Sequence, residues 1–399
     1  MTGMQRDPLS QRHSPGRPPR ILAVVRWPVG GIKTYLRQML YSPSFADASF
    51  TMVLPDAAGS TDLAEERYSA QVKWHFTENS TAGLLRAVVR YARTADFDVI
   101  HSHGFTSTIV SAIATIGVRR THLLTAHDVF TENQFAGVKG RAVRWLLSQA
   151  LQRMDLIHCV THDAAKNLCD YVPALTSGRH RIEVIPHGVD IAPLVNSRPR
   201  DLRAELGVPA GTRLFGFLGR FMAQKGFRFL VDAAEMLKSR LGETGSEFRV
   251  VCVGGGGFLR EDRQMLARRG LEQLFCFLPP ERNVGATIKG LDALVMPSLW
   301  EASGLLAMET LVCGTPLIAT TCVGLRETIA DSPARAVPPA DAVALADAMQ
   351  AELSSSSREA AAKFVNSAIS RFDSQRAQFA IRAAVDSLCA GNTAPRLPP

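Results

Sequence analysis

The chain is poor in the features that would take it out of the ordinary globular class. No apolar run reaches the ~18 residues that a membrane-spanning helix needs. The longest candidate, Thr108 to Val118, is short and rich in Ala, Thr and Ser. The first twenty residues, Met1 to Arg20, hold Pro, Arg, Ser and Gln but no apolar segment. They read as a disordered basic leader and not as a signal peptide. Cysteine is sparse: seven residues, an odd number, with no CxxC pair. Cys159, Cys252 and Cys313 lie inside apolar runs, so buried reduced thiols and a reducing cytoplasm are expected. Aromatic residues make up only 7%, and the net charge of +8 is spread along the chain, with no long basic run. That combination disfavours nucleic-acid binding. A diffuse positive balance suits anionic substrates or an anionic membrane surface. The first glycine loop also lacks a complete GxGxxG, which disfavours a dinucleotide dehydrogenase.

What is present is length and rhythm. At 399 residues and 46% hydrophobic content, the chain can build two cores. Strand-like runs at Ile21 to Val25, Phe50 to Leu54, Val99 to His103, Leu123 to Ala126 and Leu156 to Val160 alternate with helix-like runs such as Thr81 to Thr94 and Phe105 to Ile116. A second series follows, with strands at Leu214 to Leu218, Phe248 to Val253, Phe275 to Leu278, Ala293 to Met296 and Pro316 to Ala319. Such alternation predicts α/β architecture: two doubly wound parallel sheets facing a central cleft, with ligands at the carboxyl ends of the strands. The expected organisation is a leader (1–20), a first domain (21–190), a linker (191–200) and a second domain (201–365). A C-terminal helix and tail (366–399) can pack back on the first domain.

Glu301 and Glu309 carry the most chemical information. A strand leads through Pro297 and Ser298 to Glu301, and a helix opening at Gly304 carries Glu309. Two carboxylates for hydroxyls then flank a helix start whose unpaired N–H groups favour phosphate. Arg220 and Lys225 sit between Gly219 and Gly226 after the first strand of the second domain, where two cations could hold a diphosphate. The alternative for them is solvated surface charge. Gly30 and Gly31 follow the first strand, and Gly254 to Gly257 follow another; each allows close approach of backbone to a ligand, or is a plain turn. His127 ends a strand and reads either as a cleft donor or as a satisfied structural histidine. His101 and His103 share one face of a strand, and without a clear third ligand a structural role is preferred over zinc. Asp96 and Asp98 precede an apolar strand at its amino end and read as a solvated loop. The segment Lys139 to Arg153 mixes Lys139, Arg141, Arg144 and Arg153 with Trp145, Leu146, Leu147 and Leu151. It fits a core-packed helix with a basic outer face better than one resting on anionic lipid.

Together these runs resemble the family-4 retaining glycosyltransferases, which have the GT-B fold. The resemblance covers roughly Ile21 to Ile329 and is carried by Gly30-Gly31, Ile185 to Asp190, Gly219-Arg220 with Lys225-Gly226, Val253 to Gly256, the E-x7-E pair Glu301 and Glu309, and Cys313 to Thr320. It implies that Glu301 binds the donor sugar, Glu309 the nucleotide ribose, and the amides of Ser303, Gly304, Leu305 and Leu306 the diphosphate. Arg220 and Lys225 would neutralise that diphosphate, Gly31 would face it, and His127 would lie near the reactive face of the sugar. No metal or other cofactor is implied. The expected partners are a UDP- or GDP-linked hexose and a glycan or lipid-linked acceptor in surface polysaccharide assembly. Ala302 and Ser303 depart from the family, which has Gly and an aromatic there, and the glycine usual after Glu327-Thr328-Ile329 is absent. Two rivals stay open: a nucleotide-sugar epimerase of related fold, and a catalytically silent glycosyltransferase-like scaffold.

Overall fold

Strand β1 (Arg20–Val25) is apolar on both faces because both faces are covered. Ile21, Ala23 and Val25 pack with Tyr35, Leu36, Met39 and Leu40 of the helix Gly31–Tyr41. Leu22 and Val24 pack on the other face with Leu84, Val88, Ile100 and Val110. A continuous hydrophobic strand is the expected signature of a parallel sheet between two helical layers. The computed structural model describes residues 17–57, 60–176, 181–242, 247–281 and 284–391. The first sixteen residues of the expected leader lie outside the described residues.

The chain divides into two compact units. Unit 1 comprises the chain up to Val160, Ala165–Ile185 and the segment from Gln375 on. Its seven parallel strands run in the order β3-β2-β1-β4-β5-β6-β7. They are β2 (Ser49–Pro55), β3 (Gln71–Thr77), β4 (Val99–His103), β5 (His122–Ala126), β6 (Leu156–Cys159) and β7 (Arg181–Val184) beside β1. The helix Ser374–Cys389 closes one face with Ile381, Ala384 and Val385. Arg382 of that helix pairs with Asp47 and donates to the carbonyl of Ser44.

Unit 2 comprises Thr161–Ala164 and Pro186–Ser374. Its six strands are β8 (Arg213–Leu218), β9 (Phe248–Val253), β10 (Phe275–Leu278), β11 (Ala293–Met296), β12 (Leu317–Thr320) and β13 (Arg335–Val337), in the order β10-β9-β8-β11-β12-β13. Phe215 and Phe217 of β8 face one core with Phe221, Phe227 and Leu230. Leu214 and Leu218 face the other with Leu294, Met308 and Leu311.

Several segments differ from expectation. Ile191–Asn196, inside the expected linker, is a helix whose Leu194 is buried in a core of unit 2. The sequence there is too short and too broken by Pro193 to show a helical period. The helix Arg358–Phe372 belongs to unit 2, and the chain returns to unit 1 only at Gln375. Asp98 is no solvated loop residue: it is buried against Arg17 and Arg20, whose guanidiniums hold its carboxyl below the usual range against the opposing effect of burial. After Ile329 the chain turns through Asp331 with φ 55 in place of a glycine, then enters β13. Aspartate is among the few side chains that tolerate this left-handed region.

Candidate functional site

The strand order of unit 2 reverses between β8 and β11, and in sheets of this kind ligands bind beyond the carboxyl ends of such strands. β11 runs straight into Pro297 and Ser298, and the loop that follows reaches Glu301. The β8 loop is tied to it by two hydrogen bonds: Gln224 Nε2 donates to the Trp300 carbonyl at 2.9 Å, and Leu299 N donates to the Gln224 carbonyl at 2.8 Å. That register brings Lys225 Nζ to 2.6 Å from Glu301 Oε1. Ser298 Oγ donates to the same oxygen at 2.7 Å. Among the described residues Oε2 of Glu301 has no hydrogen-bond partner, so a buried, oriented carboxylate keeps one acceptor oxygen available. Ser298 was not singled out in the sequence. No spacing rule marks it, and only the turn geometry shows that it shares Glu301 with Lys225.

Glycines make this packing possible. Gly226 has φ 66, and a Cβ there would lie 1.9 Å from the Pro297 carbonyl oxygen. Gly324 lies so close to the Glu301 loop that a Cβ would stand 2.2 Å from the Glu301 carbonyl oxygen. The run after β9 is used in the same way. Gly254 lies against the Gly219 carbonyl, Gly256 lies against Phe221, and Phe221 N donates to the Gly255 carbonyl at 2.9 Å. Arg220 is exposed and makes no hydrogen bond or ion pair among the described residues. The two cations expected to act together therefore differ: Lys225 is held by Glu301, whereas Arg220 is available.

Gly304, with φ 75, opens the helix Leu305–Val312, which has no side-chain cap and no acid in its first turn. Leu305 and Leu306 are half-buried in that turn, and Ser303 before it is buried, its carbonyl accepting from Thr328 Oγ1. Glu309 is half-buried one turn further on and has no hydrogen-bond or ion-pair partner among the described residues. Burial pushes its carboxyl up to about 7. A carboxyl in such a place is a waiting acceptor or donor for a ligand hydroxyl.

In unit 1, His127 is half-buried at the end of β5, its Nε2 lying 3.3 Å from His103 Nδ1 and its ring edge-on to Tyr35. His127 is thus the outer member of a buried group. His158 Nε2 faces the Ile185 carbonyl at 2.9 Å and must carry a proton. Its Nδ1 then accepts from the Thr125 hydroxyl at 3.1 Å, and Thr125 Oγ1 accepts from His101 Nε2 at 2.8 Å. Burial pushes His101 down to about 3 and His158 to about 4. Among the described residues no group of three His, Cys, Asp or Glu side chains is placed to hold a metal ion. Gly30, with φ 55, precedes Gly31 at the start of the helix Gly31–Tyr41.

The segment Lys139 to Arg153 lies largely in the helix Gly137–Leu151, which buries Leu147, Ala150 and Leu151. Its outer face holds Lys139 and Arg141, and also Val138 at 75% exposure and Trp145 at 65%. The outer face is therefore apolar as well as basic. No helix among the described residues is long and apolar enough to cross a membrane.

Solved structures share this fold. HepE of Anabaena, solved with UDP and glucose, superposes with a TM-score of 0.76 over 92% of this chain and 100% of that one, at 22% identity. Sucrose-phosphate synthase of Thermosynechococcus elongatus gives 0.79 over 94% and 100%, at 20% identity. The class is therefore the GT-B fold. Residues 29–192 match the model of Glycosyltransferase Family 4 and residues 212–355 that of Glycosyl transferases group 1, together more than half of the chain. The chain belongs to the family-4 glycosyltransferases. Among its relatives, the 2-deoxystreptamine N-acetyl-D-glucosaminyltransferase of Streptomyces fradiae is 30% identical over 66% of this chain and 64% of its own length. The D-inositol 3-phosphate glycosyltransferase of an Arthrobacter species is 30% identical over 59% and 57%. The match thus spans somewhat less than two thirds of these relatives.

Proposed function

We propose that this chain moves a hexose from a nucleotide diphosphate sugar to an acceptor hydroxyl, with retention at the anomeric carbon. The observation that carries the reading is the Lys225–Glu301–Ser298 group beside the open helix start at Gly304. Glu301 Oε2 accepts from donor-sugar hydroxyls. The amides from Ser303 to Leu306 and the available Arg220 take the diphosphate. Glu309 takes the ribose. As the bond from the anomeric carbon to phosphate breaks, the acceptor oxygen bonds to that carbon from the same side. Its proton passes to the departing phosphate. Negative charge grows on the diphosphate during this step, which is where fixed cations lower the barrier. The reading needs no metal, because Arg220 and Lys225 supply that charge.

The donor base is uridine or guanosine in this reading; the uridine nucleotide bound in the similar HepE structure favours UDP. The test is a thermal-shift panel of nucleotide sugars, followed by turnover with the best binder. Glu301→Ala and Lys225→Ala are each expected to lower kcat/KM by about a hundredfold or more. Variants that turn over like the wild type would rule the site out. Free epimerised sugar formed without acceptor would favour an epimerase.

A lipid-linked acceptor is favoured by one observation, the outward Val138 and Trp145 on a helix that also exposes Lys139 and Arg141. We place a peripheral contact with an anionic membrane there. The full chain should sediment with vesicles containing phosphatidylglycerol and not with purely zwitterionic ones, and Trp145→Glu should reduce the bound fraction several-fold. Equal binding to both vesicle types would remove this contact.

A further inference from the structure

The strand order of unit 1 also reverses once, between β1 and β4. Arg26 is the residue immediately after β1, and Gly104 the residue immediately after β4. Arg26 is 7% exposed, yet no carboxylate among the described residues pairs with it. Its Nε donates to Thr81 Oγ1 at 3.3 Å and its Nη1 to Asn79 Oδ1 at 3.2 Å, both neutral acceptors. Its Nη2 has no partner among the described residues. The nearby cations on the helix Gly31–Tyr41 are satisfied differently: Lys33 pairs with Asp62, and Arg37 pairs with Glu66. Burying most of a guanidinium without a counter-charge is costly, and the unpaired Nη2 of Arg26 is not sealed off from solvent. A purely structural tie would be cheaper with a neutral side chain.

The surroundings point the same way. The Arg26 amide donates to Ser107 Oγ at 2.9 Å, which ties the end of β1 to the helix after β4. The helices Gly31–Tyr41 and Phe105–Ala114 both start at positive-φ glycines, with no side-chain cap and no acid in the first turn. No acid in those first turns offsets the positive ends of these two helices. Trp27 is 54% exposed, and the Arg26 guanidinium lies 3.8 Å from the centre of its ring. One face of the indole is thus covered by the cation while much of the side chain stays in solvent. An aromatic surface next to a buried cation suits a sugar ring that bears an anion. The apolar face of the ring lies on the indole, and the anion forms charge-assisted hydrogen bonds to the guanidinium.

We propose that Arg26 and Trp27 form a subsite in unit 1 for an anionic sugar or cyclic polyol, bearing phosphate or carboxylate. That this ligand is the acceptor rests on the transferase reading above; the subsite itself does not. The test measures binding of glucose 6-phosphate, glucuronate, glucose and inorganic phosphate to the full chain, with and without UDP. At least one anionic sugar is expected to bind about tenfold or more tighter than glucose. Arg26→Gln should abolish that preference and Arg26→Lys keep part of it. Trp27→Ala should weaken the anionic sugars while leaving inorganic phosphate unchanged. A cooperative thermal unfolding transition in each variant reports that the chain is folded, and Arg26→Lys with Trp27→Ala carries the test if Arg26→Gln does not fold. Equal binding of glucose and both anionic sugars, or a preference that survives Arg26→Gln, would overturn the proposal. So would a loss of UDP affinity in the folded Arg26 variants, which would move the guanidinium to the donor. If the wild type binds the anionic sugars but no nucleotide, the subsite stands and the transferase reading falls.

Discussion

At the scale of single residues, Glu309 shows how burial and function pull against each other. Among the described residues its carboxyl has no hydrogen-bond or ion-pair partner, and burial, which disfavours its charge, pushes it up to about 7. If ribose hydroxyls donate to it, the ionised form is the binding form. That form fills as the pH rises through about 7. Uridine is the right probe, because the terminal phosphate of UDP titrates in the same range. Uridine affinity should rise between pH 6 and 8 in the wild type and stay flat in Glu309→Gln. The same shift acts on stability with the opposite sign. The folded chain holds this proton more tightly than the unfolded chain, so stability falls as the pH rises from the ordinary glutamate value to about 7. Glu309→Gln should therefore raise Tm more at pH 8 than at pH 4.5. A uridine affinity that does not change with pH would remove Glu309 from the ribose site.

At the scale of elements, the glycine loops explain what the sequence could and could not show. The run Gly254 to Gly257 reads as four equivalent residues, but the structure makes them unequal. A Cβ on Gly254 would meet the Gly219 carbonyl oxygen at 1.9 Å, whereas one on Gly257 would meet nothing within 4 Å. Gly254→Ala should cost on the order of 2 kcal/mol or more, and Gly257→Ala less than about 0.5 kcal/mol. Gly226→Ala should resemble Gly254→Ala and also lower turnover, because the collision with Pro297 moves Lys225 away from Glu301. Denaturant unfolding compares the three, and equal midpoints would refute the geometry. Central strands and helices were legible because burial on both faces leaves continuous apolar runs. β3 was not: as an edge strand it keeps Gln71 and Lys73 exposed, half-buries Val72, Trp74, His75 and Phe76 and buries only Thr77, which weakens its apolar signal. β7, short and half-buried, was missed for the same reason. Glu301, Lys225 and Glu309 were legible as a motif. Ser298 and Arg26 were not, since the value of each depends on a partner supplied or withheld by another segment.

At the scale of the whole molecule, the two units should respond differently to acid. His101, His103, His122 and His158 are almost fully buried, and all belong to unit 1. Burial lowers the titration of each: to about 3 for His101, about 4 for His122 and His158, and well below the usual value for His103. Neighbouring charge adds to this, from Arg153 on His122 and from the other rings on His101 and His103. In the unfolded chain each ring takes up a proton near pH 6.5, which the folded chain refuses. Stability is thus fully present above about 6.5 and is lost as the pH falls towards 4, by about 2 kcal/mol per ring at pH 5. The ion-paired carboxylates of unit 1, among them Asp47, Glu66 and Asp98, are held below their usual range, so their contribution is lost in a lower window. Between pH 6.5 and 5 the histidines therefore dominate. Hydrogen exchange followed by mass spectrometry should show β4, β5 and β6 losing protection in that interval before β8, β9 and β11 do. His101→Asn removes one titrating ring, so it should flatten the dependence of Tm on pH even if it lowers Tm at neutral pH. Protection lost from both units at the same pH, or a slope unchanged in His101→Asn, would show that the buried rings do not set the acid limit of the fold.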